Sequence, residues 1–378
     1  MGITTIKDIR YMENNDKNVI QLAFAAIDPT LTGNTPVLEE SEARGKDYIL
    51  YGSDNLYPNY LRELYLTVST LKSVIDGTTD FVVGDGVSMD GVDNKVVNGR
   101  GDTVRDLMSL IAKDYLIYGG FCLQVVRNNL GKVSELYYVD FRYVRSDKDN
   151  NVFYYSEEFD KKWVRSNKVV VYPKFSTLNP QPSSLVYVKN SRSTTYPIPR
   201  YSGAVKGCEI ERHIDDFHLN GLENGFYGSY VLSFNNGLPT DEQRMEIEKN
   251  VMEKFCGAAN SGRVLLNFSD SKDNAVTVDK LDVVDFSEKY QAAAERAREQ
   301  IFTSFRATPI LFGLTATTNT GFSTDEFQQT FRLYNRTVVR PLQQLVSDTF
   351  DKVFERQGVL EIKPFSIEED NNGEKTVE

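Results

Sequence analysis

Apolar residues recur at spacings of three and four through Leu61, Leu64, Tyr65, Val68, Leu71, Val74 and Ile75. That stripe predicts a helix that starts after Tyr57-Pro58 and stops at Gly77. Leu107, Leu110, Ile111, Tyr115 and Leu116 repeat the pattern and predict a second helix over about 103–118, ended by Gly119-Gly120. The period then changes. Phe121 to Val126 is a short apolar run, Asn128-Asn129-Leu130-Gly131 carries turn residues, and Lys132 to Val139 returns, which together predict a β-hairpin. Upstream of Tyr51 the chain is polar and weakly periodic, so an extended arm with little structure of its own is expected over residues 1–50.

Further short strands are expected at Asn151 to Tyr155, Lys162 to Arg165 and Lys168 to Tyr172. Five prolines between Pro173 and Pro199 predict irregular surface chain. Lys206 to Asn224, with Ile210, Ile214, Phe217 and Leu222, predicts a helix that Gly225 ends. A strand-helix-strand unit is expected next. Its strands are Ser229 to Phe234 and Arg263 to Phe268, and its helix, Thr240 to Cys256, opens with Thr240 and Gln243 at capping-box spacing.

From Ser287 to about Arg306 the helical stripe is Tyr290, Ala294, Ala297, Ile301 and Phe305, whose alanines let another helix approach closely. Thr308-Pro309 stops that helix, and Ile310 to Phe322 is a segment dense in Thr and Gly without a charge. Ser323 and Glu326 form a second capping-box pair. The last long helix, to about Phe354, carries Phe327, Phe331, Tyr334, Val338, Leu342 and Leu345, and Pro341 is expected to kink it near Val338. From Glu361 onward the chain has six acidic and two basic residues, an acidic tail whose last part is expected to be disordered.

Composition adds two constraints. There are 21 Tyr and 22 Phe against one Trp, a bias that suits wide packed interfaces as well as cores. The formal charge is −11 with no Lys/Arg-rich block, which disfavours a protein that wraps nucleic acid tightly. Cys122, Cys208 and Cys256 are far apart and predict reduced thiols rather than a disulfide framework. No run of about 18 apolar residues exists to cross a membrane.

Candidate chemistry is thin. Asp147-Lys148-Asp149-Asn150-Asn151, with Glu158 at the twelfth position, imitates a calcium loop, but Val152 replaces its glycine and the flanks read as strands, so a polar hairpin turn is expected. His213 and His218, five apart, fall on different faces of a helix and no third ligand completes a zinc set. No nucleophile elbow and no phosphate-cradling loop occurs, so neither a hydrolase nor an ATP-driven motor is indicated, and no metal or cofactor is expected. The rival reading is an intracellular hydrolase working through carboxylates such as Asp215 and Asp216, whose bland counterpart is a solvated helix face. A third reading is an intracellular interaction protein with no role on DNA.

The order of the elements from about Tyr51 to Phe354 resembles the portal proteins of tailed bacteriophages, the small portals in particular. Tyr118-Gly119-Gly120-Phe121 through Asn129-Leu130-Gly131 to Tyr138-Val139-Asp140 is similar to the family's wing hairpin, and Ser229 to Phe268 to its clip, with Gly257 to Arg263 as the turn before the returning strand. The most specific likeness is Arg298-Glu299-Gln300-Ile301, then Ala307-Thr308-Pro309-Ile310-Leu311-Phe312-Gly313, then Gly321-Phe322-Ser323: a stem helix, a Pro-x-x-x-Gly stop, a loop and the start of a long helix.

The resemblance implies an α+β portal fold that assembles as a ring. Its regions would be an N-terminal arm (1–50), a wing (51–205), a stem helix (206–228), a clip (229–285), a second stem helix (286–307), a tunnel loop (308–322), a long kinked wing or crown helix (323–358) and an acidic tail (359–378). It implies a DNA-facing loop of Leu314, Thr315, Ala316, Thr317, Thr318, Asn319 and Thr320, and a stem surface for neighbouring subunits at Tyr290, Ala294, Ala297, Ile301 and Phe305. The partners implied are further copies of the chain, twelve in a ring, double-stranded DNA in the channel, the large terminase, the major capsid or scaffolding protein and a head-tail adaptor. The setting implied is the portal vertex of the virion, after assembly in the host cytoplasm, with no membrane and no catalysis.

Overall fold

The computed structural model describes residues 12–13, 19–23, 38–42, 45–161, 164–223, 230–234, 240, 242–243, 245–247, 264–269, 284–313 and 324–365. In chain order the elements are β1 (Met12–Glu13), β2 (Val19–Ala23), β3 (Glu40–Glu42), β4 (Ile49–Tyr51), α1 (Tyr57–Thr67), α2 (Ser69–Val83), β5 (Gly86–Met89), β6 (Val92–Asp93), α3 (Val104–Tyr118), β7 (Gly120–Arg127), β8 (Val133–Val139), β9 (Val144–Ser146), β10 (Val152–Tyr155), β11 (Val170–Pro173) and β12 (Ser183–Lys189). Then follow α4 (Val205–Glu223), β13 (Tyr230–Phe234), β14 (Val264–Ser269), α5 (Val284–Phe305), α6 (Thr324–Tyr334), α7 (Arg340–Phe354) and β15 (Leu360–Lys363). Two units divide them. One holds residues 35–211 and 295–378, the other residues 1–34 and 212–294.

In the larger unit α1, α2 and α3 bury their predicted stripes, Leu61, Leu64, Leu71, Val74 and Ile75 among them. The first stripe is two helices rather than one, because Val68 is extended (φ −94°, ψ 110°). Gly77 does not stop the second. α2 runs on to Val83 and ends at Gly84, and Gly77 is instead where the Phe312 ring approaches so closely that a Cβ would sit 2.8 Å from its Cδ1. Thr103 and Asp106 form a capping box at the start of α3, and Gly119 (φ 86°) closes it in the left-handed region.

The predicted hairpin is β7–β8, antiparallel, and β12 completes its sheet in the order β12-β7-β8. β12 falls where irregular chain was expected. Pro182 ends the approach to the strand and gives only its carbonyl, which accepts from Arg127 N–H at 2.9 Å, so its missing donor costs nothing. β10 and β11 match two of the expected short strands; Val164 and Arg165 lie outside any strand, and Lys162 and Trp163 lie outside the described residues. In the β9–β10 turn, Asp147 Oδ1 accepts from the N–H groups of Asn151 (2.7 Å) and Val152 (3.0 Å), a polar hairpin turn. Arg145 is fully buried, with no carboxylate partner among the described residues: it donates to Asn55 Oδ1, Asn55 O, Arg142 O and Val144 O, and its guanidinium lies 4.6 Å from the centre of the Phe159 ring.

Both chain ends carry more structure than their patterning predicts. Glu40, in the β3–β4 pair, accepts from Thr195 N–H (3.0 Å) and Tyr196 N–H (2.8 Å), and Tyr51 stacks on Tyr196 at 4.1 Å. At the other end β15 pairs antiparallel with β5, so Leu360–Lys363 is a sheet strand rather than acidic tail. Where the kink was expected, a five-residue π turn, Asn335–Val339, lies between α6 and α7, and in it Arg340 N–H reaches Asn335 O. Pro341 has no N–H for the Thr337 carbonyl, and the wider turn absorbs the loss.

In the smaller unit β13 and β14 run parallel, as a strand-helix-strand connection requires, and Thr240 and Gln243 exchange the two bonds of the predicted capping box. β2 adds to the other edge of β14 in antiparallel register, Ala23 opposite Leu265 through Val19 opposite Ser269. The sheet order is β1-β2-β14-β13. The expected turn Gly257 to Arg263 and the Gly225 stop lie outside the described residues.

Candidate functional site: the loop root and the stem helices

The loop expected to meet DNA, Leu314 to Thr320, and Ser323 of its capping pair lie outside the described residues. Its root is described. α5 ends at Phe305; Arg306 turns the chain at φ 54°, and Ala307 N–H closes on Phe302 O at 2.9 Å. A single 3₁₀ turn, Pro309–Phe312, follows and Gly313 ends it in the left-handed region at φ 76°. This is the Pro-x-x-x-Gly stop of the sequence, and each of its end residues has a local reason: Pro309 presets the first turn position and Gly313 the last.

Phe312 fixes that root. Its ring lies 6.2 Å from Phe81, 6.1 Å from Phe302 and 5.9 Å from Tyr334, and it fills the notch at Gly77. On the far side of the loop, α6 seats Phe331 against Phe81 at 5.3 Å, with Phe365 against both, and Tyr334 OH shares a 2.6 Å hydrogen bond with Thr78 Oγ1. α2 therefore carries both ends of the segment. The sequence held the two ends as a Pro-Gly stop and a helix start; that one helix seats both was not legible in it.

The predicted stem surface divides. Ala297, Ile301 and Phe305 are buried in the chain's own packing: Phe305 stacks on Tyr201 at 5.7 Å, and a Cβ on Gly207 of α4 would sit 3.3 Å from Ala297 O. The close helix approach foreseen at the alanines is thus made by α4 of the same chain. Tyr290 and Ala294 stay partly exposed, and Tyr290 packs on Phe217 at 4.8 Å. α4 also carries exposed apolar side chains, Ile210 at 43% and Leu219 at 55%. Leu219 was off the expected α4 stripe of Ile210, Ile214, Phe217 and Leu222.

The rival catalytic reading finds no support in placement. Asp215 and Asp216 both lie on the exposed face of α4. Among the described residues no group of three His, Cys, Asp or Glu could hold a metal, and no helix is long and apolar enough to cross a membrane. The strongly perturbed acid is elsewhere: burial, helped by the negative charge of Asp140, pushes Asp114 well above the usual carboxylate range. Asp114 accepts from Tyr138 OH (3.0 Å) and Phe141 N–H (3.2 Å) and braces α3 against β8. Burial likewise raises the Cys208 thiol to about 12, which makes it an unreactive core group.

Curated protein sequences give no match to this chain. Among solved structures the chain is similar to the neck of an empty gene transfer agent particle (16% identity, TM-score 0.49, 82% of this chain and 84% of that one). It is also similar to an HK97-family phage portal protein from Corynebacterium diphtheriae (11% identity, TM-score 0.45, 79% and 93%). The model of the phage portal protein family matches residues 99–368, from just before α3 through the loop root and both long helices to past β15. The chain belongs to the phage portal protein family, which is structural and not enzymatic.

Proposed function

We propose that twelve copies of this chain close into a ring at one vertex of a capsid and that the central hole passes double-stranded DNA during packaging and ejection. The observation that carries the reading is the family match across residues 99–368, which spans both the loop root and the stem helices. The ring would also dock the large terminase, the head-tail adaptor and the major capsid or scaffolding protein. The channel loop, Leu314 to Thr320, bears no charge. Lysines and arginines would hold phosphates by counterion release and slow the passage of DNA. An uncharged loop does not.

The charge of the whole chain supports the same reading. Twelve copies at −11 each carry a formal charge of −132, which repels DNA over about 8 Å, the Debye length at physiological salt. The test is the mass and shape of the purified protein. Native mass spectrometry should give about 515 kDa, twelve times 42.9 kDa, and negative-stain images should show rings with a central hole. Only monomers or dimers at micromolar concentration would sink it.

A further inference from the structure

The smaller unit takes its strands from two distant parts of the chain. β13 and β14 come from residues 230–269, but the strand that completes β14, Val19–Ala23, comes from the N-terminal 34 residues. β14 has two edges: β13 occupies one in parallel, and β2 occupies the other over five residues. The bond between β2 and β14 is a backbone ladder. It is indifferent to which copy of the chain donates the strand, because any copy offers the same N–H and C=O groups in the same register.

Resting on the reading of the chain as a ring subunit, we infer that β2 of each subunit completes β14 of its neighbour. Three observations support the exchange. First, the chain is long enough to reach a neighbour: 14 residues, 24–37, lie between Ala23 and Leu38, and a chain of that length can span up to about 50 Å. Second, the exchange costs no pairing, since the ladder seen within one chain is re-made in full between chains, and a head-to-tail ring leaves no donor or acceptor strand over. Third, each subunit carries a formal charge of −11, so neighbours repel one another. A tie made of main-chain hydrogen bonds is not weakened by that repulsion in the way an ion pair would be, and it holds across changes of salt.

The register gives the experiment. Gln21 lies opposite Asn267, so Gln21→Cys and Asn267→Cys place two thiols across the β2–β14 pair. The variant is made with Cys256→Ser, the other native cysteines, Cys122 and Cys208, being buried. Rings isolated by mass are oxidised and run on a denaturing, non-reducing gel. Exchange predicts a ladder at multiples of 42.9 kDa that collapses to one band on reduction. In intact rings, a single monomer band that runs faster than its reduced form would place β2 on its own β14 and overturn the exchange while leaving the ring. Intact rings with no cross-link in either form would also overturn it.

A second preparation guards against a disturbed double variant. Chains carrying Gln21→Cys alone are co-assembled with chains carrying Asn267→Cys alone. Covalent dimers arise there only if one chain's β2 meets another's β14, and their absence from mixed rings overturns the exchange. If no ring forms even from the unaltered chain, the ring reading fails and the exchange falls with it, which separates the two failures.

Discussion

The carboxylate of Glu211 accepts two hydrogen bonds from Thr70, one from its N–H at 3.2 Å and one from its hydroxyl at 2.8 Å. A third comes from Ser69 Oγ at 2.9 Å. α2 opens after Val68, which has no side chain able to cap it, and Glu211 of α4 supplies from 141 residues away the acceptor that a local Ser or Asp would give. The negative group also faces the positive end of the helix dipole. Glu211→Ala removes the acceptor, leaves buried donors unpaired, and should cost about 2 kcal/mol. Glu211→Gln keeps an acceptor oxygen and should cost about half as much. Urea midpoints of the two variants check both the direction and the order; equal midpoints for all three proteins would refute the cap.

Gly77 gives the second prediction. In an exposed helix interior Gly→Ala stabilises by roughly 1 kcal/mol. Here the new Cβ would lie 2.8 Å from Phe312 Cδ1, inside any real contact, so the ring has to move. Overpacking of that kind costs about 1–3 kcal/mol. Gly77→Ala should therefore destabilise, Phe312→Leu should destabilise by loss of aromatic packing, and the double variant should be better than the sum of the two. The cycle is read by thermal unfolding; strict additivity would show that Phe312 does not occupy the notch.

Asp114 predicts a pH dependence. Its folded value is raised, first by burial and then by Asp140, whereas in the unfolded chain it titrates near 3.8. The stability it contributes is therefore fully present below about pH 4 and is lost as pH rises toward the folded value, because folding then holds a proton that the unfolded chain has released. Asp114→Asn keeps an oxygen for Tyr138 and Phe141 and cannot ionise. Its stability relative to the unaltered protein should rise as the pH climbs above about 4 toward the folded value. Parallel urea curves across that range test the sign, and a flat difference would mean that the folded carboxyl is not shifted upward.

The channel loop gives a functional prediction under the proposed reading. Replacing Thr317 and Thr318 by Lys should leave folding nearly unchanged, since exposed loop substitutions fall within about 0.5 kcal/mol of neutral. In a twelve-copy ring the change would set roughly 24 cations at one level of the channel, where they would grip phosphates. Packaged DNA per particle should fall, while the same double change at Asp270 and Ser271 should spare it. Equal packaging by both variants, with rings of normal mass, would remove this loop from the DNA path.

Local order was readable wherever one face of an element is buried by its immediate neighbours. Periodicity located α1, α3, α4, α5 and the two long C-terminal helices, and turn chemistry located the β7–β8 hairpin. What stayed hidden depends on partners distant in sequence. Gly77 reads as a stop until Phe312 is seen to need its missing side chain; β12 reads as proline-rich loop until β7 gives it a ladder; Leu360–Lys363 reads as tail until β5 pairs with it. The same holds for the stem stripe, where spacing identified Ala297, Ile301 and Phe305 as buried-face residues without saying that the chain's own packing would cover them.

The division of the chain has a consequence for how the protein is made. The larger unit is interrupted, its residues 35–211 and 295–378 standing on either side of 212–294, and its core includes Val353, Val359 and Leu360. Ribosomes add about 5–20 residues per second, so residues 295–360 take roughly 3–13 s to synthesise. Throughout that interval the apolar faces of α2 and α3, already made, wait for α7 and β15. A nascent chain in that state is a client for holding chaperones, and a cell that supplies more of them at modest temperature should yield more soluble subunit than one that only transcribes faster.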